Sequence, residues 1–224
     1  MELAEPVPAQ GGSWAPPIGS RSGLAVVLRA QTAAAHAAAE DAFALDTRLA
    51  SRGSYGALLA LLSGFYRPLE AALAALPGWD RLTPAVDLPA RSRAALIDDD
   101  LQALGLTIPV QALRHQPVLD SLAQGLGCLY VLEGSALGGR IVARQASAAL
   151  GTDLPVSFFA NPAGPPLGAR WQALQATLDA YGHAAGETAC AAAVLAAQQT
   201  FAALGDHLDL AGRLAATRPL DRSA

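Results

Sequence analysis

The sequence predicts an all-α protein with a single domain. Alanine and leucine dominate its 224 residues, hydrophobic residues make up 52% of the chain, and apolar side chains recur at three- and four-residue steps over most of its length. A chain of this length suits one large domain better than two small ones. We predict a flexible tail over residues 1–22, a helical domain over 23–214 and a second tail over 215–224.

The composition argues against two classes of partner. The net charge is −4 and no basic stripe is present, so nucleic-acid binding is not expected. No uninterrupted apolar run reaches the roughly 18 residues of a membrane span, and no signal-peptide pattern is visible, so we expect a cytoplasmic protein. Cys128 and Cys190 have no metal-ligand spacing and are predicted to be buried, reduced thiols.

The first predicted helix covers residues 24–49. One of its faces carries, at four-residue steps, Leu28, Thr32, His36 and Glu40. A lone histidine on a helix is usually a surface residue or a satisfied core residue. Here alanines flank His36 and leave room beside its ring, and Glu40 lies one turn further on, where it can orient the imidazole. These two features make His36 a candidate ligand.

Two further helices are predicted over residues 54–76 and 92–104. Pro68 lies inside the first and predicts a kink or break just before it. Phe65 and Tyr66 are predicted to belong to the core, although either could also contact a cofactor. The second helix contains an acidic run, Asp98-Asp99-Asp100. Consecutive helical positions point in different directions and no other ligand set accompanies them, so a solvated face is predicted rather than a metal site.

The next helix, over residues 122–150, organises the chain. Its second half contains Gly134, Gly138 and Gly139, and each glycine costs a helix about 1 kcal/mol relative to alanine. Such glycines permit close packing against another helix or mark a helix end; alternatively, they bring bare backbone against a flat ligand. The glycines alone do not decide between these interpretations.

The remainder of the chain is predicted to be mostly helical. Residues 154–159 are the one short strand candidate, and a proline-rich loop follows over residues 161–166. Helices are then predicted over residues 168–181 and 187–214, with a weak interruption at Gly205.

Three segments resemble the biliverdin-producing haem oxygenases, especially the bacterial type that accompanies bacteriophytochromes. The helix with Leu28, Arg29, Thr32, His36 and Glu40 is similar to the family's proximal helix. Residues 63–70, SGFYRPLE, are similar to a segment of the bacterial members. Residues 129–139, LYVLEGSALGG, resemble the glycine-rich distal helix.

The resemblance implies that haem b, with its iron, is substrate and prosthetic group together and lies between these two helices. His36 takes the position of the axial ligand and Glu40 that of its hydrogen-bonding partner. Arg29 takes a position that contacts a haem propionate. The glycines at 134, 138 and 139 take the distal positions.

The implied reaction opens haem to biliverdin with release of iron and carbon monoxide. It requires O2 and an external electron donor, either a reductase or a ferredoxin-type protein, and a bacteriophytochrome is a further implied partner, as acceptor of biliverdin. Ser135 stands where mammalian-type members have a distal aspartate, so the proton relay must use waters, the serine or another group. Later propionate-binding positions are neutral here, Gln172 and Ala176, which leaves the site of ring opening undetermined.

Three other functions are compatible with parts of the sequence. One is a haem-binding or haem-storage protein without turnover. Another is an unrelated helical interaction protein, and the third is a thiaminase-like member of the same fold, although neither cysteine suggests its active site. If the distal role is right, Gly139→Ala should preserve or raise stability and lower turnover; close helix packing predicts the reverse.

Overall fold

The computed structural model describes residues 23–83, 85–107, 116–161 and 166–216, with side chains as far as Asp209. These residues contain no strand, and the predicted all-α class is confirmed. The α-helices are α1 Leu24–Phe43, α2 Leu45–Arg48, α3 Arg52–Ala75, α4 Ala94–Ala103, α5 Leu122–Leu150, α6 Ser157–Ala160 and α7 Leu167–Ala216. Short 3-10 turns cover Trp79–Leu82 and Pro89–Arg91. The predicted tails lie outside the described residues, except that 215 and 216 continue α7.

The first predicted helix is divided in two. Ala44 has a left-handed conformation, with φ of 42°, and it separates α1 from α2. The start of α1 is held by α7, because the Ala25 N–H donates to Asp179 Oδ1 at 2.8 Å. The backbone N–H groups of a first helical turn have no partner within the helix, so this carboxylate satisfies one of them and ties α1 to α7.

Of the kink or break predicted before Pro68, the break is absent. The helix begins with a reciprocal capping box between Ser51 and Ser54 and continues through Pro68 to Ala75. The residues on both sides of the proline are buried, including Phe65 and Leu69. Helices in proteins are stabilised mainly by the packing of their apolar face, which here carries the helix across the missing hydrogen bond.

Asp100 corrects two predictions. It is buried rather than solvated, and its two carboxylate oxygens accept the N–H groups of Ser157 and Phe158, each at 2.9 Å. Burial raises the pKa of Asp100, and these two hydrogen bonds oppose the shift. The carboxylate caps α6, so the segment predicted as a strand over residues 154–159 is instead a turn followed by a short helix. Of the acidic run, Asp99 is exposed and Asp98 pairs with Arg67.

The two longest helices, α5 and α7, form the centre of the fold. α7 packs against both α1 and α5. Gly127 of α5 faces the carbonyl of Ala193 so closely that no Cβ fits between them. α7 is broken at Gly186, with φ of 82°, between the two helices predicted there. The predicted interruption at Gly205 is absent, because the helix continues through it.

The core contains both cysteines as buried free thiols, as predicted. Three helices are long and apolar enough to cross a membrane, by length and composition only: Arg52–Ala75, Leu122–Leu150 and Leu167–Asp209. In the protein, 50–61% of each apolar window is buried inside the fold.

Candidate active site

A cleft runs between α1 and α5, with α7 behind it. It consists of two adjoining cavities of about 430 and 390 Å³, both within the range of roughly 300–1,000 Å³ of small-molecule pockets. We call the larger the Arg29 cavity and the smaller the Gly138 cavity, because Arg29 lines only the first and Gly138 only the second. Their shared wall consists of His36, Gly134, Ser135 and Phe201. The cleft is therefore one elongated site with a histidine at its centre.

His36 stands on the α1 side of this cleft. Its side chain is 56% exposed, and its ring meets the edge of Phe201 at a centroid distance of 5.5 Å. Nδ1 lies 3.4 Å from Glu40 Oε2. A neutral imidazole that keeps its proton on Nδ1, toward this carboxylate, has its lone pair on Nε2, where a metal can be bound. The pairing of His36 with Glu40 predicted from the i, i+4 spacing is thus present.

The other described histidines are directed elsewhere. His183 is exposed, and its Nδ1 lies 2.7 Å from the Asp179 carbonyl. His207 is buried, and its Nε2 lies 2.8 Å from the Leu61 carbonyl. Neither lines the cleft, and His115 is outside the described residues. Among the described residues, His36 is therefore the histidine available to a ligand in the cleft.

The three glycines in the second half of α5 differ in their surroundings. A Cβ added at Gly138 meets nothing within 4 Å, and one at Gly134 makes ordinary contact with Trp171 at 3.6 Å. A Cβ at Gly139 comes within 2.8 Å of the Phe159 carbonyl oxygen in α6. Both interpretations of the glycines therefore apply, because Gly138 and Gly139 both line the cleft and Gly139 also packs against α6. Gly138 leaves open space in the cleft, whereas Gly139 allows close helix packing, so its replacement by alanine should not preserve stability.

A polar cluster lies in the wall of the Gly138 cavity. The Ser135 hydroxyl donates to the Leu132 carbonyl at 2.7 Å, so at the 2.7 Å contact with Tyr66 the tyrosine hydroxyl is the donor. Arg93 Nη1 donates to both hydroxyl oxygens at 3.2 Å. Serine, tyrosine and arginine thus form one directed network at the cleft. We predicted a role for Ser135 alone.

Arg93 is the member of this cluster that the sequence did not suggest. Its side chain is buried, its Nη2 donates to the Phe158 carbonyl at 2.9 Å, and its guanidinium lies over the Phe158 ring at 4.1 Å. Its Nε is buried without a hydrogen-bond partner. Such an orphaned donor beside a cavity indicates a place for a water molecule or a polar ligand atom. The motif around Tyr66 gave a signal for the tyrosine, but nothing in the sequence links position 93 to position 135.

The Arg29 cavity carries a positive charge from Arg29 itself. Arg29 is exposed and lines its cavity together with Tyr130, a residue we did not single out. Burial raises the pKa of Tyr130, while a hydrogen bond to Thr32 and the charge of Arg29 lower it. Trp171 packs against the Tyr130 ring at 5.3 Å. An anionic group at the edge of a flat ligand would find a guanidinium and a phenol at this end.

The cleft fits haem in several respects. Its walls are predominantly apolar, a histidine and bare glycine backbone line the same cavity, and each cavity contains polar side chains. No group of three or more His, Cys, Asp or Glu residues that could hold a metal ion occurs among the described residues. The fold and the cleft define an all-α protein with an elongated, largely apolar ligand site.

The comparisons with known proteins identify the family. The haem oxygenase family model matches residues 22–208, so this chain belongs to the haem oxygenase family, whose members are oxidoreductases that degrade haem. The fold is similar to the NO- and CO-bound haem oxygenase from Neisseria meningitidis, with a TM-score of 0.72 and 22% identity over 90% of this chain and 99% of that chain. The search of curated proteins found no match.

Proposed function

We propose that this protein opens haem to biliverdin, with release of iron and carbon monoxide, in the cleft between α1 and α5. The observation that carries the proposal is the pairing of His36 on one wall with the open backbone at Gly138 on the other. Haem bound there supplies both the iron that activates O2 and the porphyrin that is oxidised. The chain's own residues bind it, orient it and control water and protons around it.

On the α1 side, His36 is proposed as the single protein ligand of the iron. Glu40 is proposed to accept from Nδ1–H and so to fix the tautomer that leaves the Nε2 lone pair free for the iron. The alanines that flank His36 have short side chains, so a flat group can lie close to the backbone of α1. Phe201 limits rotation of the imidazole from the side.

On the α5 side, the backbone at Gly134 and Gly138 leaves room for small molecules such as O2 and excludes larger ones. The hydroxyls of Ser135 and Tyr66, with Arg93 behind them, are proposed to hold a water molecule at the Gly138 end. The directed chain of hydrogen bonds supports this role. We propose that this network replaces the distal aspartate that is absent at position 135, because protons can reach the cleft through these groups.

At the Arg29 end, Arg29 and Tyr130 are proposed to receive a propionate. Arg29 is the one arginine among the described residues that line this cavity, and Gln175 on α7 is a neutral hydrogen-bonding neighbour. A partly exposed ion pair of this kind contributes modestly, on the order of 1 kcal/mol. Arg29 is therefore expected to influence the rotation of haem in the cleft more than the reaction itself.

The reaction consumes electrons that no described residue can supply, so we propose an external donor, either a reductase or a ferredoxin-type protein. Delivery of biliverdin to a bacteriophytochrome and a cytoplasmic location also remain proposals, supported by the resemblance of the proximal and distal helices to those of phytochrome-associated members.

The proposal is tested by loading the protein with ferric haem under anaerobic conditions and then adding a reductant and air. Catalase is included to remove free peroxide. We expect the Soret band to disappear while biliverdin and carbon monoxide form in equal amounts. A haem complex that is reduced and reoxidised without loss of haem would contradict the proposal and indicate a binding or storage protein.

A further inference from the structure

A buried charge cluster holds α5 beside the glycines of the cleft. Glu133 precedes Gly134, and its side chain is only 4% exposed. Its Oε2 accepts from Arg91 Nη1 at 2.6 Å, and its Oε1 accepts from Arg170 Nη2 at 2.5 Å. Both arginine side chains are equally inaccessible, at 5% and 6% exposed. The three residues, which we call the Glu133 cluster, join the turn at Pro89–Arg91, α5 and the start of α7.

The Glu133 cluster is costly for the fold. Two guanidinium groups and one carboxylate leave a net positive charge in the interior, and burial lowers the pKa of Arg91. Arg170 Nε has no partner. Arg170 also lies in the first turn of α7, where the helix dipole disfavours a cation. Apolar side chains of similar volume often serve stability as well as a buried ion cluster does, so stability alone does not account for it.

The position of the cluster suggests another role. On the cleft side of α5, Gly134 and Gly138 have no side chains that could fix the rotation of the helix by packing. Hydrophobic contacts elsewhere on α5 are non-directional and permit small rotations. A carboxylate held from two sides by charge-assisted hydrogen bonds does not permit them. Together with the hydrogen bonds of Ser135, the cluster therefore fixes the rotation of α5 on both sides of Gly134.

The cluster also acts on the residue that follows Arg170. Trp171 lines the Arg29 cavity, packs against Tyr130, and lies 3.6 Å from the Cβ position of Gly134. Because Glu133 and Arg170 are bonded to each other, their neighbours Gly134 and Trp171 are set relative to one another. These two residues form adjoining parts of the cleft wall, so a rotation of α5 would change the shape of the cleft between them.

We propose that the Glu133 cluster is a positioning device that selects one orientation of haem in the cleft, and thereby the position at which the ring opens. The proposal rests on the proposed function, because it concerns haem bound between α1 and α5. Arg91, Glu133 and Arg170 act through Gly134 and Trp171 and are not themselves in contact with the substrate.

The test uses two variants of the full chain. The triple variant Arg91→Met/Glu133→Leu/Arg170→Met replaces the cluster by apolar side chains, and Glu133→Asp keeps the charge but withdraws it by one methylene. Each is loaded with haem; the biliverdin isomers are separated, and the haem orientations are counted by the proton resonances of the ferric complex. Asp153→Asn is the matched control, since it removes an exposed ion pair with Arg52 remote from the cleft.

We expect the triple variant to melt near the wild-type temperature. Its ratio of major to minor biliverdin isomer should fall about two- to tenfold, because the difference in free energy between the two haem orientations should shrink by about the contribution of one hydrogen bond. Glu133→Asp should shift the ratio in the same direction, and the control should not. A folded triple variant with the wild-type ratio and a single haem orientation would overturn the proposal. If that variant does not fold, an unchanged ratio in Glu133→Asp would overturn it. Absence of bilin from the wild-type protein would instead contradict the proposed function.

Discussion

The two walls of the cleft are built in different ways. The α1 wall depends on local contacts: His36 is half exposed and its carboxylate neighbour Glu40 lies one turn away on the same helix. The α5 wall depends on distant segments, because Ser135 is bonded to Tyr66 and Arg93, and these bonds are largely buried. The difference implies that the α1 wall can be altered with little effect on the fold, whereas changes in the α5 wall affect function and stability together.

The largest effect is expected from His36→Ala. Alanine is a better helix former than histidine and the site is half exposed, so α1 should remain intact while bilin formation falls to background. Bilin yield and helical circular dichroism measure the two properties, and added imidazole should restore part of the yield by filling the vacated space. His183→Ala, at an exposed position away from the cleft, should retain full activity. Wild-type yield in His36→Ala would refute the assignment.

The next largest effect should separate two neighbouring glycines. Gly138→Ala places a methyl group in open space, so the free energy of unfolding should be unchanged or up to about 1 kcal/mol higher. Turnover should fall by about 10- to 100-fold, because a displacement of roughly 1 Å at the reacting centre has that effect.

Gly139→Ala is the matched comparison for that variant. Its methyl group would press on the Phe159 carbonyl, and overpacking of this kind costs about 1–3 kcal/mol, more than the gain in helix propensity. Urea unfolding of both apoproteins, with turnover per bound haem, tests the pair. If Gly139→Ala were the more stable of the two, the packing role of Gly139 would be wrong.

A smaller effect is expected from Tyr66→Phe. The ring keeps its edge contact with Phe158, but the hydroxyl that donates to Ser135 is lost. We expect turnover to fall about tenfold, which is less than the roughly 100-fold or more that a group transferring a proton directly contributes. Tyr55→Phe is the control, because that buried hydroxyl donates to the Pro155 carbonyl at 2.9 Å, outside the cleft. Both variants should lose about 1 kcal/mol of stability. Equal turnover in the two would remove Tyr66 from the proton relay.

The smallest effect is expected from Arg29→Ala. Haem affinity should fall about fivefold, the equivalent of roughly 1 kcal/mol for a partly exposed ion pair. The mixture of biliverdin isomers should broaden, because the propionate loses its cationic partner. Titration of haem and separation of the bilin products measure both changes, with Arg52→Ala as a control at an exposed ion pair. An unaltered affinity with an unaltered isomer pattern would make Arg29 an ordinary surface residue.

The sequence predicted the α1 wall better than the α5 wall for a physical reason. Helical periodicity places His36 and Glu40 together whatever the rest of the chain does. The contacts of Ser135, Glu133 and Asp100 instead depend on how distant helices pack, which periodicity does not report. Asp100 was therefore predicted on a solvated face, and Arg91, Arg93 and Arg170 gave no signal at all. The same limit applies to Pro68, where tertiary packing sustained a helix that local propensity interrupts.

The central claim is that haem lies between α1 and α5 with His36 as its protein ligand. A crystal structure of the ferric haem complex tests this most directly. The account predicts His36 Nε2 bound to the iron, the backbone at Gly138 on the opposite face and a propionate beside Arg29. Haem located outside this cleft, or bound through His115 or another histidine, would contradict it.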